Sequence, residues 1–85
     1  MKQSVYTIKN SIGINPRPAM RFTKLMAGFE SHIKIRRGND FCNGKDLYEL
    51  LNLQVRVNET ITLEITGSDE EAAMNTAEVF LKQNL

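Results

Sequence analysis

Two stretches of strict alternation constrain this chain most. In His32-Ile33-Lys34-Ile35-Arg36, and again in Thr60-Ile61-Thr62-Leu63-Glu64-Ile65, apolar residues take every second place and polar or charged residues the places between. A period of two belongs to a β-strand, whose successive side chains point to opposite faces, so these segments require a sheet with one face covered and the other wet. The cover is also legible. Ala19, Phe22 and Met26 recur at helical spacing, with Leu25 and Phe29 widening the stripe, and Gly28 stands where a helix would stop. Ala73, Ala77, Phe80 and Leu81 mark one side of a last helix that Asp69 would cap.

The remaining elements fall between these. Val5 to Ile8 is short, β-branched and aromatic, and ends in the turn-like Lys9-Asn10-Ser11, which reads as a first strand. Gly38-Asn39 offers a hairpin turn into a short strand at Phe41-Cys42, and Gly67 ends the strand that starts at Thr60. Asp46-Leu47-Tyr48-Glu49 has the form of a capping box: the first acid accepts from backbone N–H groups while the glutamate three residues later reaches back to it. The order is βαββαβα, a two-layer α+β domain in which three helices cover one face of a four-stranded antiparallel sheet. With 85 residues the chain has room for one such domain, spanning 1–85.

Composition narrows the function. Eleven Lys and Arg against ten Asp and Glu leave a formal charge of +1, so no general electrostatic attraction to nucleic acid or to a membrane surface is expected. The lone Cys42 excludes an internal disulfide and any multi-cysteine metal site. The opening MKQSVYTIKN lacks the apolar run of a signal peptide, and no stretch has the length of apolar sequence that crosses a bilayer. A soluble, cytoplasmic protein is the expectation, with no metal and no cofactor.

One motif asks for chemistry. In Gly13-Ile14-Asn15-Pro16-Arg17-Pro18-Ala19-Met20, Asn15 is a favoured N-cap and Pro16 falls at the first helical position, where a missing N–H costs little. A helix start attracts anions, and Arg17 adds a five-donor guanidinium there. Yet Pro16 and Pro18 withdraw two backbone donors, and an exposed arginine in such a place has solvation as its ordinary role. His32 and Cys42, the other nucleophile types, have no acid or base motif around them. His32 reads as an exposed strand residue among cations and Cys42 as a partly buried strand thiol.

The motif, Gly44-Lys45-Asp46-Leu47, the Leu53 to Leu63 region and Gly67-Ser68-Asp69-Glu70-Glu71-Ala72 together resemble HPr, the histidine-containing phosphocarrier family of the bacterial sugar phosphotransferase system. The resemblance implies an open-faced β-sandwich in βαββαβα order, a carrier rather than an enzyme. In carrier members a pattern like G-[LI]-H-[TA]-R-P-A supplies the phosphorylated histidine at the place that Asn15 takes here. A neutral imidazole nitrogen can accept a phosphoryl group; a carboxamide nitrogen, its lone pair delocalised into the carbonyl, cannot. Pro16 also stands where the family offers a backbone N–H to that group.

Asp46 lies at the place resembling the regulatory serine of low-GC Gram-positive HPr proteins and of their histidine-lacking Crh-type relatives. A phosphoserine carries about −1.5 to −2 and three acceptor oxygens, an aspartate a single charge on a shorter arm. The capping box explains Asp46 and Glu49 without any regulation. The resemblance further implies that Leu47, Tyr48 and Leu51, with Met20 and Arg21 one turn beyond Arg17, lie where Enzyme I or a LacI-type catabolite control repressor docks. Leu47 and Leu51 also read as partly core, which leaves Tyr48 as the exposed contact residue.

Three functions stay open at this point. The chain is a non-catalytic regulatory binding module, with Asn15, Arg17 and Asp46 meeting a partner beside an apolar patch of Met20, Leu47, Tyr48 and Leu51. Or it is a phosphocarrier-related component acting through another residue, or an inherited HPr-like scaffold with an unrelated partner. Analogy with Crh-type relatives adds a homodimer exchanging its N-terminal strand.

Overall fold

The structure, a computed structural model, describes residues 1–85. Its elements follow the order β1 (Lys2–Thr7), α1 (Pro16–Met26), β2 (His32–Arg37), β3 (Asp40–Asn43), α2 (Leu47–Asn52), β4 (Thr60–Thr66) and α3 (Glu70–Asn84). The strands form one four-stranded antiparallel sheet in the spatial order β1-β4-β2-β3. Each expected element is present. β1 begins earlier than the Val5 that its apolar residues suggest, because pairing with β4 runs back to Lys2 opposite Ile65.

Register explains the alternation. Ser4, Leu63, Ile35 and Cys42 form one row across all four strands, and Leu63, Ile35 and Cys42 are buried beneath the helices. The neighbouring rows, Val5-Thr62-Arg36-Phe41 and Gln3-Glu64-Lys34-Asn43, look the other way onto the open face. The helices supply the other half of the core: Ala19, Phe22 and Met26 from α1, Leu50 from α2, and Ala73, Met74, Ala77, Phe80 and Leu81 from α3. The Phe22 and Phe80 rings meet at 5.6 Å, tilted by 58°, where α1 and α3 pack together. Removing so much apolar surface from water is the main force behind the layer arrangement.

Several local expectations change on contact with the packing. Leu25 is 39% exposed, so it widens the α1 stripe toward solvent rather than into the core. Asp69 occupies the N-cap position of α3 but makes no capping bond. Its carboxylate instead accepts from the Glu30 N–H at 2.8 Å and from the Ser31 N–H and hydroxyl at 3.0 and 2.5 Å, tying the start of α3 to the start of β2. Glu70 takes the Gly67 N–H in its place, at 3.1 Å. Gly67 sits at φ +157°, and a Cβ there would stand 2.6 Å from Ser31 Cα, so the same clip requires glycine.

Candidate functional site

The segment before α1 is clamped from below. Gly13 has φ +77°, and a Cβ on it would lie 2.5 Å from the Val55 carbonyl oxygen and 2.9 Å from Arg56 Cα. Only glycine allows that approach. The Ile14 N–H then donates to the Val55 carbonyl at 3.0 Å, and the Gly13 N–H to the Asn10 carbonyl at 2.9 Å.

Asn15 follows in extended conformation (φ −98°, ψ 170°) and opens α1, its carbonyl accepting the Ala19 N–H at 3.1 Å. Its carboxamide makes no capping bond, contrary to what its residue type suggests. The prolines halve its choice of partner. A capping side chain takes the N–H of the second or third helical residue, and the third is Pro18, which has none. Pro16 removes the first as well, so among the first three residues of α1 only Arg17 offers a ligand a backbone N–H.

Arg17 is exposed and enters no ion pair or side-chain hydrogen bond. One turn on, Met20 is 53% exposed. Arg21, by contrast, is drawn toward α3, with its guanidinium 5.7 Å from the Phe80 ring centre and 3.4 Å from Asn84 Oδ1.

The neighbouring helix α2, packed against α1, starts at Asp46, whose Oδ1 accepts the Glu49 N–H at 3.1 Å. The reciprocal arm of the expected box goes elsewhere: Glu49 Oε1 accepts the Asn43 N–H at 3.0 Å, fastening α2 to the end of β3. The Asp46 N–H is already given to the Asn43 carbonyl at 3.1 Å. Asp46 is half-buried and forms no ion pair with Arg17 or any other cation. Leu47 and Leu51 are half-buried against the core, while Tyr48 is 78% exposed. Adjacent helices thus carry the singled-out residues: Asn15, Arg17 and Met20 at the start of α1, and Asp46, Leu47, Tyr48 and Leu51 along α2.

The other nucleophile types fall outside this surface. Cys42 is fully buried, not partly, because its row faces the helices. Burial above all, and then the Glu49 and Asp46 carboxylates, push its thiol up to about 12, so it is not a thiolate near neutral pH. His32 is exposed at the start of β2. No group of three or more His, Cys, Asp or Glu is placed to hold a metal ion, and no helix is long and apolar enough to cross a membrane.

A family model described as "PTS HPr component phosphorylation site" matches residues 2–83. This chain belongs to the HPr family. The phosphocarrier protein HPr of Mycoplasma genitalium is 32% identical over 85 residues, covering 99% of this chain and 97% of that protein. A second relative is the phosphoryl donor subunit DhaM of a PEP-dependent dihydroxyacetone kinase from Providencia stuartii, 30% identical over 79 residues. That match takes in 93% of this chain but spans only 17% of the longer relative. Among solved structures, HPr-C-His from Thermoanaerobacter tengcongensis superimposes with a TM-score of 0.93 at 29% identity, covering 98% of this chain and 93% of that one. The relatives named HPr are phosphocarriers, and the open sheet covered by three helices is the HPr fold.

The cations that the alternation sets on the open face gather around an aromatic ring that the residue pattern did not single out. Lys34 Nζ lies 4.6 Å and Arg36 Cζ 5.8 Å from the ring centre of Phe41, which is 59% exposed. The signal was present in the hairpin: a two-residue turn at Gly38-Asn39 sets Arg36 opposite Phe41 and puts that ring on the outer face.

Proposed function

We propose that this HPr family member does not carry phosphate on histidine and works as a regulatory protein-binding module. One observation carries the reading: Asn15 takes the place that resemblance assigns to the phosphorylated histidine, and the chain's one histidine, His32, lies in β2 rather than in that loop. The loss of two of the first three backbone donors of α1 to proline supports it, since a phosphoryl group there would find less neutralisation beside Arg17.

The docking face is then Arg17 and Met20 of α1 with Leu47, Tyr48 and Leu51 of α2, and Asp46 supplies a permanent negative charge beside them. The partner is a protein such as a LacI-type catabolite control repressor or Enzyme I, and the role is Crh-like, a cofactor of catabolite repression. No kinase has to act first, because the anion is built into the chain. Aspartate is a weaker substitute for phosphoserine, with one charge in place of about two.

Incubation with Enzyme I and phosphoenolpyruvate, followed by intact-mass measurement, tests the first half. The expected result is an unchanged mass. An acid-labile gain of one phosphoryl group overturns the reading.

A further inference from the structure

Away from that surface, a cavity of about 290 Å³ opens at β2 and β3, lined by His32, Lys34, Phe41 and Asn43 of the outer face together with Ile33, Cys42 and Lys45. We propose that this cavity is a binding site for a small phosphate ester. It shares no residue with the α1 and α2 surface and does not depend on the function assigned there.

Charge is the first argument. Two lysines and an imidazole line the cavity, and no carboxylate does. The chain as a whole carries only +1, so this local excess is not a general feature of its surface. The carboxylates around it bond to other groups, Asp46 among them, whose Oδ1 accepts the Glu49 N–H at 3.1 Å. Glu64, opposite Lys34 in register, pairs with Arg36 Nε at 3.3 Å. Glu49 takes the Asn43 N–H, and Glu30 accepts from the Ser68 hydroxyl at 3.1 Å. Neither lysine has a carboxylate partner. Lys45 Nζ donates to the uncharged Phe29 carbonyl at 2.5 Å, Lys34 rests over the Phe41 ring, and neither forms an ion pair.

Hydrogen-bond supply is the second. The Asn43 Oδ1 accepts the Lys45 N–H at 2.9 Å, which fixes the carboxamide and leaves its NH₂ to donate. With two ammonium groups, that makes a donor-rich wall without a competing acceptor carboxylate, which suits a phosphate's three oxygens. The third argument is the apolar part of the lining. The exposed Phe41 ring offers a surface for carbon, so the ligand is an organic ester rather than inorganic phosphate. Size sets the scale: this volume is at the lower end for small-molecule pockets and suits a compact ligand.

Titration of the ¹⁵N-labelled chain with glycerol 3-phosphate, AMP and inorganic phosphate, followed by NMR, tests the site. The expected outcome is saturable shifts centred on residues 32–34 and 41–45, with at least one ester bound more tightly than inorganic phosphate. Removing an accessible charge or hydrogen-bond donor weakens such a contact by up to about fivefold, so Lys34→Gln and His32→Gln should each weaken the ester within that range and more together. Both positions are on the wet face, and an unchanged spectrum elsewhere confirms folding. Lys45 is left intact because it holds the Phe29 carbonyl. Absence of saturation with all three probes, equal affinity in the double variant, or shifts centred on residues 13–20 would each overturn the proposal.

Discussion

On the proposed reading, placing a histidine at position 15 offers a quantitative test of how much the missing backbone donor at Pro16 matters. Asn15→His alone supplies the nucleophilic nitrogen, but α1 still opens on Pro16, Arg17 and Pro18, with one N–H among three residues. Pro16→Thr adds a second, at the first helical position and beside Arg17. A hydrogen bond to a charged group is worth about 1.5–3 kcal/mol, which is roughly tenfold to somewhat over a hundredfold in an equilibrium constant. The double variant should therefore become phosphorylated at a phosphoenolpyruvate-to-pyruvate ratio lower by about that factor. The assay equilibrates each variant with Enzyme I across a series of such ratios and reads the phosphorylated fraction by intact mass. Losing the proline ring loosens the unfolded chain and costs about 0.4–1 kcal/mol, a few degrees in melting temperature for a domain of this size, so folding persists in both variants. Coincident phosphorylation curves for the single and double variants would refute the reasoning and leave Pro16 without influence on the anion site.

Three further outcomes are expected. Asp46→Ala should lower stability by about 1 kcal/mol through loss of the bond from the Glu49 N–H, whereas Asp46→Asn should keep the cap and the melting temperature. If a partner presents a cation to that place, calorimetry should show Asp46→Asn binding it more weakly and with less salt dependence, and Tyr48→Ala binding it more weakly with the salt dependence retained. The Asp69 carboxyl is held below its ordinary value of 3.8 by the Ser31 hydroxyl first and then by the Glu30 N–H. A carboxyl depressed in the folded state stabilises above its unfolded value and loses that contribution as pH falls through its folded value. Thermal melts should thus show an acid limb below about pH 4 that is flatter in Asp69→Asn.

How much of this could be read from the residues depends on whether a signal was local. Alternation in His32–Arg36 and Thr60–Ile65 fixed which face each strand buries, because period two leaves no freedom in that choice. The N-cap positions of Asn15, Asp46 and Asp69 were legible too, but the partners of their side chains were not. Whether Asp69 caps α3 or bridges to Ser31 depends on where β2 ends up, and whether Glu49 reaches Asp46 or Asn43 depends on the end of β3. The turn after α2 gave no warning at all. Gln54 adopts φ +54° without being glycine, and its carbonyl accepts from Arg37 Nη1 at 3.2 Å, a contact between segments distant in sequence. The same limit hid the cationic cavity, whose residues come from β2, β3 and the turn beyond.

The loop before α1 raises a sharper question: which of the residues around Asn15 the fold itself requires. Gly13 needs no function to explain it: its left-handed backbone and its approach to Val55 and Arg56 hold the loop to the segment after α2. Ile14 is buried, Pro18 and Ala19 are buried in α1, and Asp46 caps α2. These residues would be retained by a scaffold with no partner. Arg17, Met20 and Tyr48 are different. Arg17 has no ion pair or side-chain hydrogen bond, and Met20 and Tyr48 leave 53% and 78% of their surface in water. Nothing in the fold requires a guanidinium, a thioether and a phenol at these places, and substituting each one should leave stability within about 0.5 kcal/mol. Met and Tyr at the surface and an arginine without a partner are the residue types that protein interfaces favour. The docking reading therefore stands on these three exposed side chains rather than on the motif as a whole.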